Sequence, residues 1–152
     1  PWLMAGYGVP PSMHPIATVD GWWGTADRAK LDADGRLTLA GRIDDCVRTR
    51  DGRLVDLAQV GEALASIPGV RHAVALAIDE APGVSLAAVL ECSEAVTFES
   101  LRPAIAAQLP RWAWPRHTVM VRELPRLATG KPDRLACLAL AARAAATGHG
   151  AA

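Results

Sequence analysis

Residues 56–92 read DLAQVGEALASIPGVRHAVALAIDEAPGVSLAAVLEC, and the spacing of their apolar side chains decides the fold. The first fourteen residues predict an amphipathic helix. Asp56 can serve as its N-cap, with Gln59 three positions later in the capping-box position. Val60 and Leu64 recur four residues apart, as the buried face of a helix requires. A proline-glycine pair then ends the helical pattern.

The second part of this stretch predicts two strands. Residues 70–79 and 84–92 are mostly apolar and rich in valine, leucine and alanine, and the turn EAPG separates them. Upstream, RIDDCV (residues 42–47) and RLV (residues 53–55) predict two further short strands. The order up to this point is therefore strand, strand, helix, strand, strand.

Three elements are predicted downstream. A second helix is expected to begin with Ser100 as its N-cap, because Pro103 then falls in the first turn, where no backbone donor is needed. A start at Thr97 would instead cost a hydrogen bond. HTVMV (residues 117–121) predicts a strand, and PDRLACLALAARAA predicts a last helix with Pro132 at its first position.

These elements divide the chain into three parts. Residues 1–43 are rich in Gly, Pro and Trp and predict a β-hairpin with its turn at Asp32-Ala33-Asp34-Gly35. Residues 44–143 carry the order ββαββαβα. Because no G-x-G-x-x-G motif and no strict βαβ alternation is present, this order predicts a small α+β domain, a short sheet flanked by helices. Residues 144–152 read as a flexible tail.

Composition excludes several classes of protein. The 152 residues include sixteen basic and sixteen acidic side chains, so bulk charge favours neither a nucleic acid nor an anionic membrane as partner. No apolar run approaches the length that spans a bilayer, and no secretion signal is visible, which favours the cytoplasm. Three widely spaced cysteines without metal-ligand spacing predict free thiols and no metal site. The absence of an initiator Met suggests a piece of a longer protein.

One lysine stands out in LPRLATGKPDR, residues 124–134. Only two of the sixteen basic residues are lysines, and Lys131 follows a glycine turn just before the last helix. A compact ammonium on a flexible stem can enter a narrow site where a planar guanidinium does not fit. The alternative is an ordinary solvated charge at the start of a helix.

Three motifs in a fixed order resemble a known family. DGWWGTAD, then GRIDD, then PRLATGK resemble the motifs of the adenylate-forming enzymes, which include acyl- and aryl-CoA synthetases, peptide-synthetase adenylation domains and luciferases. The resemblance extends from about Leu3 to Leu140. It implies that residues 1–43 end a large N-terminal domain and that residues 44–143 form the small C-terminal lid domain of an AMP-forming ligase. The rest of the large domain is then a missing partner.

The resemblance also implies roles for individual residues. Lys131 corresponds to the catalytic lysine that lies between the substrate carboxylate and the α-phosphate of ATP. Asp27 and Arg42 correspond to residues that bind the nucleotide. Asp44 corresponds to the hinge about which the small domain rotates between adenylation and thioester formation. Ala26 stands where the family usually has glycine, which costs on the order of 1 kcal/mol if the position needs a positive φ.

The resemblance also implies ligands for the protein. The resemblance implies ATP, with Mg²⁺ accompanying the nucleotide rather than held by this segment, and a carboxylic acid substrate. Arg48, Arg50 and Arg53 either meet the phosphates of CoA or of a carrier protein's pantetheine arm, or are solvated.

Three functions remain open at this point. The chain is either the lid and hinge of an acid–thiol ligase, inactive alone, or a free-standing module that binds CoA or a carrier protein without catalysis. The third possibility is a branch of the family that adenylates an acid without using CoA.

Overall fold

The computed structural model describes residues 6–7, 14–15, 17–93 and 96–147. They fall into two compact units, Pro1–Ile43 and Asp44–Ala152. The described part of the first unit contains two antiparallel strand pairs. Its strands are β1 (Gly6–Tyr7), β2 (His14–Pro15), β3 (Asp27–Leu31) and β4 (Leu37–Arg42).

The β3–β4 pair is the predicted hairpin. Asp32 organises its turn, because the Asp32 carboxylate accepts hydrogen bonds from the backbone N–H groups of Asp34 (3.0 Å) and Arg36 (2.8 Å). Gly35 takes a positive φ of 78° in the same turn. The hairpin and its turn are confirmed.

The second unit has the predicted order ββαββαβα. Its elements are β5 (Cys46–Arg48), β6 (Leu54–Asp56), α1 (Leu57–Ala65), β7 (Val70–Glu80), β8 (Gly83–Cys92), α2 (Phe98–Gln108), β9 (His117–Val121) and α3 (Arg134–Ala146), with a 3-10 turn at Arg111–Ala113. β5 and β6 form a two-stranded sheet. β7, β8 and β9 form a second sheet in that order, with β7–β8 antiparallel and β8–β9 parallel. The α+β fold is confirmed.

Strand β8 lies in the middle of its sheet, between β7 and β9, and is buried on both faces. Ala88 and Leu90 pack into a core with α1 and α2, whereas Ala87 and Val89 pack into a second core with α3. This explains why the sequence of β8 is almost continuously apolar rather than alternating. Cys92 and Cys137 lie in these cores, and burial raises the pKa of both thiols. All three cysteines are free, as predicted, although Cys46 is only half-buried.

Helix α1 begins as predicted. The Asp56 carboxylate caps it by accepting from the N–H groups of Ala58 (3.0 Å) and Gln59 (3.3 Å). The side-chain amide of Gln59 lies 3.5 Å from the same carboxylate, not on the Asp56 backbone as a full capping box requires.

The predicted start of α2 was wrong. Thr97, not Ser100, is its N-cap, and the two residues form a reciprocal capping box in which each side chain bonds the other's backbone N–H. Pro103 therefore lies inside the helix and cannot donate to the carbonyl of Glu99. The capping box satisfies two N-terminal donors, which offsets the single bond lost at Pro103.

The predicted start of α3 was wrong by two residues. Asp133 is its N-cap and accepts from the N–H groups of Leu135 (3.0 Å) and Ala136 (3.1 Å), so Pro132 precedes the helix. With Pro132 at the first helical position the N-cap would be Lys131, whose side chain has no acceptor, whereas the Asp133 carboxylate satisfies two donors. The helix continues to Ala146, into the segment expected to be a tail, and residues 148–152 lie outside the described residues. No described helix combines the length and apolar character that crossing a bilayer requires.

Candidate functional site

Lys131 lies on a closed turn that leads into α3. The N–H of Leu127 donates to the Lys131 carbonyl (2.8 Å), and the N–H of Gly130 donates to the Leu127 carbonyl (2.8 Å). Gly130 has a positive φ of 82°, a conformation that glycine adopts without a steric penalty. Below the turn, the Asp133 N–H donates to the Pro125 carbonyl (2.8 Å). Backbone hydrogen bonds thus close the turn, while the side chain of Lys131 is exposed.

The Lys131 turn borders a groove of about 450 Å³. One wall is helix α1 and another is the start of β7 from His72 to Ala75, and Lys131, Pro132 and Arg134 complete the lining. Among the described residues of this unit, no carboxylate forms an ion pair with Lys131. Its ammonium is therefore available to an anionic ligand.

A buried carboxylate, Glu91, lies beneath the same turn. It accepts hydrogen bonds from the Leu124 N–H (3.0 Å) and from Arg126 Nη2 (3.2 Å), and Arg71 Nε lies 3.3 Å from its other oxygen. The Leu124 N–H and the Arg71 charge hold the pKa of Glu91 below its usual range, although burial opposes the shift. Sequence reasoning missed this residue, although a carboxylate near the end of an otherwise apolar strand was visible in the sequence.

Asp27 and Arg42 meet in the first unit. They stand opposite each other at the end of the β3–β4 pair, with Arg42 Nη1 3.1 Å from Asp27 Oδ1. The same nitrogen is 3.4 Å from the Thr25 carbonyl oxygen. Both side chains are partly exposed, so the pair presents a carboxylate and a guanidinium together at the surface. Ala26, immediately before Asp27, has a positive φ of 61°.

The arginines of the β5–β6 hairpin are exposed, but they do not converge on one point. Arg48 Nη1 donates to the Gly52 carbonyl (2.7 Å), within the hairpin. The Arg53 guanidinium lies over the ring of Trp112, 5.5 Å from its centroid. The guanidinium groups of Arg48 and Arg53 therefore each have a partner within the chain, and an anion that bound them would have to share them.

Asp44 is the first residue of the second unit. The next residue, Asp45, is bound into that unit at two points: its carbonyl accepts from the Leu57 N–H (2.8 Å), and its carboxylate pairs with Arg134 (3.0 Å). Asp45, directly after Asp44, thus anchors the chain to the second unit.

Ligand types can be assessed from the described side chains. No three or more histidine, cysteine, aspartate or glutamate side chains within the described ranges form a group that could hold a metal ion. Exposed positive charge is instead present at Lys131 and at the β5–β6 hairpin. These two places on the second unit are therefore suited to anionic ligands.

Similar proteins identify the family. The chain is 35% identical over 124 residues to tyrocidine synthase 3 of Brevibacillus parabrevis, a match that covers 81% of this chain. It is 34% identical over 140 residues, or 90% of its length, to sulfoacetate–CoA ligase of Cupriavidus necator. The chain belongs to the adenylate-forming enzyme superfamily. It spans only 2% of the synthase and 27% of the ligase. No family model matches the chain.

Solved structures agree with membership of the superfamily. The fold of most of the chain recurs in the ATP-bound RpMatB-BxBclM chimera B1 (TM-score 0.69, 23% identity, 80% of this chain and 25% of the chimera). It recurs in o-succinylbenzoate-CoA synthetase of Bacillus subtilis in complex with an acyl-adenylate (0.65, 26%, 76% and 24%). Amide bond synthetase McbA of Marinactinospora thermotolerans is also similar (0.66, 26%, 81% and 25%). In each case the chain corresponds to about a quarter of the neighbour, as a C-terminal portion would.

Proposed function

We propose that the chain is the C-terminal portion of an AMP-forming carboxylic acid–thiol ligase and that Lys131 is its catalytic lysine. The observation that carries the proposal is the match to a CoA ligase over 90% of this chain but only 27% of the ligase. The exposed side chain of Lys131, on a turn closed by backbone hydrogen bonds, supports the assignment. Residues 1–43 then complete a large N-terminal domain, residues 44–143 form the lid, and the rest of the large domain is the chain's partner.

The chemistry of adenylation explains why a lysine is needed. When the substrate carboxylate attacks the α-phosphorus of ATP, negative charge builds on the oxygens around phosphorus. An ammonium placed beside them stabilises the transition state more than the ground state. Because Lys131 has no ion-pair partner among the described residues of its unit, its charge is not already neutralised. Mg²⁺ would accompany the ATP phosphates.

The Asp27–Arg42 pair would bind the nucleotide. A carboxylate can accept hydrogen bonds from both hydroxyls of a ribose diol, and the neighbouring guanidinium can hold the carboxylate in place or meet a phosphate. The distance of 3.1 Å between the two side chains supports a joint role. Nucleotide binding and charge stabilisation thus fall to different units of the chain.

Thioester formation would require the lid to rotate about Asp44. This assignment is supported by the attachment of Asp45, the residue after Asp44, to Leu57 and Arg134. Rotation would withdraw Lys131 and bring the thiol of CoA or of a carrier protein to the acyl-adenylate. Arg48 and Arg53 would then contact the phosphates of CoA or of the pantetheine arm, with Arg53 leaving Trp112 or sharing its charge with the ring.

A second function is supported by one comparison. The similarity to an amide bond synthetase is consistent with a superfamily branch in which the acyl-adenylate reacts with an acceptor other than CoA. Release of AMP by the full-length protein, measured with and without CoA or a carrier protein that bears a pantetheine thiol, separates the two. Acid–thiol ligation predicts that one of these thiols accelerates AMP release, whereas the alternative predicts that neither has an effect.

The test of the main proposal compares two forms of the protein. The full-length protein that carries this segment should exchange pyrophosphate into ATP with some member of a panel of carboxylic acids. The 152-residue chain alone should show no exchange with any of them, because it lacks a phosphate loop and an acyl pocket. Robust pyrophosphate exchange by the 152-residue chain alone would exclude this proposal. If no longer protein carries this segment and the chain alone binds CoA, the free-standing module would be favoured.

A further inference from the structure

The Lys131 turn needs an external attachment if the ammonium is to be held in one place. Its two internal hydrogen bonds join Leu127 to Lys131 and Gly130 to Leu127, so they close the turn on itself. Residues 126–131 are exposed, and the left-handed Gly130 adds backbone freedom. A misplacement of about 1 Å at a reacting centre can cost on the order of a hundredfold in rate.

Arg126 supplies such an attachment. Its Nη1 donates to the carbonyl of Gly130 (3.1 Å), the peptide group directly before Lys131, and its Nη2 donates to the Glu91 carboxylate (3.2 Å). A planar guanidinium holds its donors in a rigid fork, so it fixes the two acceptors relative to each other. The turn is thereby bonded to strand β8 of the central sheet.

Glu91 is itself held firmly. It is buried, and besides Arg126 it bonds the Leu124 N–H and Arg71. A buried ion pair contributes little net stability compared with apolar residues of the same volume, because desolvation cancels most of the attraction. Compared with an apolar residue of the same volume, the charged Glu91 at the end of β8 therefore adds little to the stability of the fold. The position that it gives to Arg126 explains its presence better.

We propose that Glu91 and Arg126 are positioning residues that hold the Lys131 turn in the geometry needed for adenylation. This rests on the proposed role of Lys131. Neither residue is proposed to contact the substrate. They act through the Gly130 carbonyl, and their loss should lower the adenylation kcat without a matching change in the KM for ATP.

Arg71 provides a matched control. It bonds the same Glu91 carboxylate, from the other oxygen, but its second contact is the Arg122 carbonyl and not the Lys131 turn. Arg126→Met and Arg71→Met each remove one cation from Glu91 and keep a side chain of similar length. Only Arg126→Met also removes the bond to Gly130.

The first measurement is amide hydrogen exchange on the 152-residue chain. In Arg126→Met the N–H groups of Leu127 and Gly130 should exchange at least tenfold faster, whereas Arg71→Met should leave them within twofold of the parent chain. Equal exchange rates in the two variants would overturn the positioning role, whatever their effect on global stability. Arg126→Lys retains a charge but not the fork, and should recover only part of the protection.

The second measurement is adenylation by the full-length protein. Arg126→Met should lower kcat at least tenfold, Arg71→Met less than twofold, and Arg126→Met combined with Lys131→Ala should be no slower than Lys131→Ala alone. Independent, multiplying losses would overturn the proposal, because positioning residues act only through the residue they position. If Lys131→Ala itself has no effect, the proposed function fails, and that result is distinct from a failure of Arg126 alone.

Discussion

The Asp45 carboxylate lies 3.0 Å from the guanidinium of Arg134, the first residue of α3. Arg134 follows Lys131 by three residues, so the chain directly after Asp44 is joined to the element that begins beside the Lys131 turn. The Asp45 carbonyl is held as well, by the Leu57 N–H. A torsional change at Asp44 would therefore move the Lys131 turn together with β5, α1 and α3, to which Asp45 is joined.

Substitution of Asp44 by proline tests the hinge. Proline fixes φ near −65°, so Asp44→Pro in the full-length protein should favour one of the two lid orientations. Adenylation and thioester formation should then change by very different factors when each half-reaction is assayed separately. Asp44→Asn, which keeps the backbone free, should alter both only slightly. Equal losses of both half-reactions in Asp44→Pro would indicate misfolding and not a locked hinge.

Ala26 has a conformation that favours glycine. An L-residue in the left-handed region costs roughly 1–2 kcal/mol, partly offset by about 0.4–1 kcal/mol because glycine is freer in the unfolded chain. Ala26→Gly should therefore stabilise the segment by up to about 1 kcal/mol. The exchange rate of the Ile43 amide, which donates to the Ala26 carbonyl (2.8 Å), measures this locally.

Substitution of an alanine by glycine in β3, the strand that begins directly after Ala26, serves as the control. Ala29→Gly, in β3, should lower the stability of the hairpin by about 0.5–1 kcal/mol, because glycine loses more conformational freedom in an extended strand. Destabilisation by both substitutions would mean that the positive φ of Ala26 carries no appreciable strain.

Local patterns predicted the elements well. The order ββαββαβα and the Asp56 cap follow from side-chain spacing within single segments, where the nearest neighbours decide the structure. The predicted start of α2 was wrong because two local effects compete there. The donor lost at Pro103 disfavours a start at Thr97, but the reciprocal bonds between Thr97 and Ser100 outweigh that loss.

Contacts between distant segments could not be predicted. The parallel pairing of β8 with β9 and the bond between Glu91 and Arg126, 35 residues apart, depend on how the chain returns to the sheet. The sequence identified Lys131 because its motif is local, but not the carboxylate beneath it. The functional roles of Lys131, Asp27, Arg42 and Asp44 remain predictions.

Acid should weaken the second unit partly through Glu91. Its pKa is lowered in the folded protein, so its ionised form contributes stability that is complete above the unfolded value of about 4.5 and is lost as pH falls through the lower folded value. Urea unfolding of wild type and Glu91→Gln should differ most at neutral pH, and the difference should shrink on acidification.

A substitution at Glu62 controls for the loss of one negative charge, which Glu91→Gln also causes. Glu62 is exposed on α1, so Glu62→Gln should leave the pH dependence of unfolding close to that of the wild type. A constant stability difference between wild type and Glu91→Gln at all pH values would show that the Glu91 charge does not stabilise the fold.

Lys131→Ala is the most direct test of the proposed chemistry. In the full-length protein it should lower the adenylation rate by about a hundredfold or more, on the order of the 3–4 kcal/mol lost when one preorganised charge-stabilising group is removed. The KM for ATP should change far less, because the nucleotide is expected to bind through Asp27 and Arg42. Thioester formation from preformed acyl-adenylate should persist, because the rotated lid no longer places the lysine at the phosphate.

Two further results on Lys131 separate catalysis from structure. Lys131→Arg should rescue adenylation poorly, because the guanidinium fork is wider than an ammonium and spreads its charge. The free energy of unfolding should hardly change in Lys131→Ala, since the side chain is exposed and the turn is closed by backbone hydrogen bonds. Intact adenylation in Lys131→Ala would make this residue an ordinary surface charge. A large loss of stability would instead make it structural, because a group that acts only in the transition state should not affect folding.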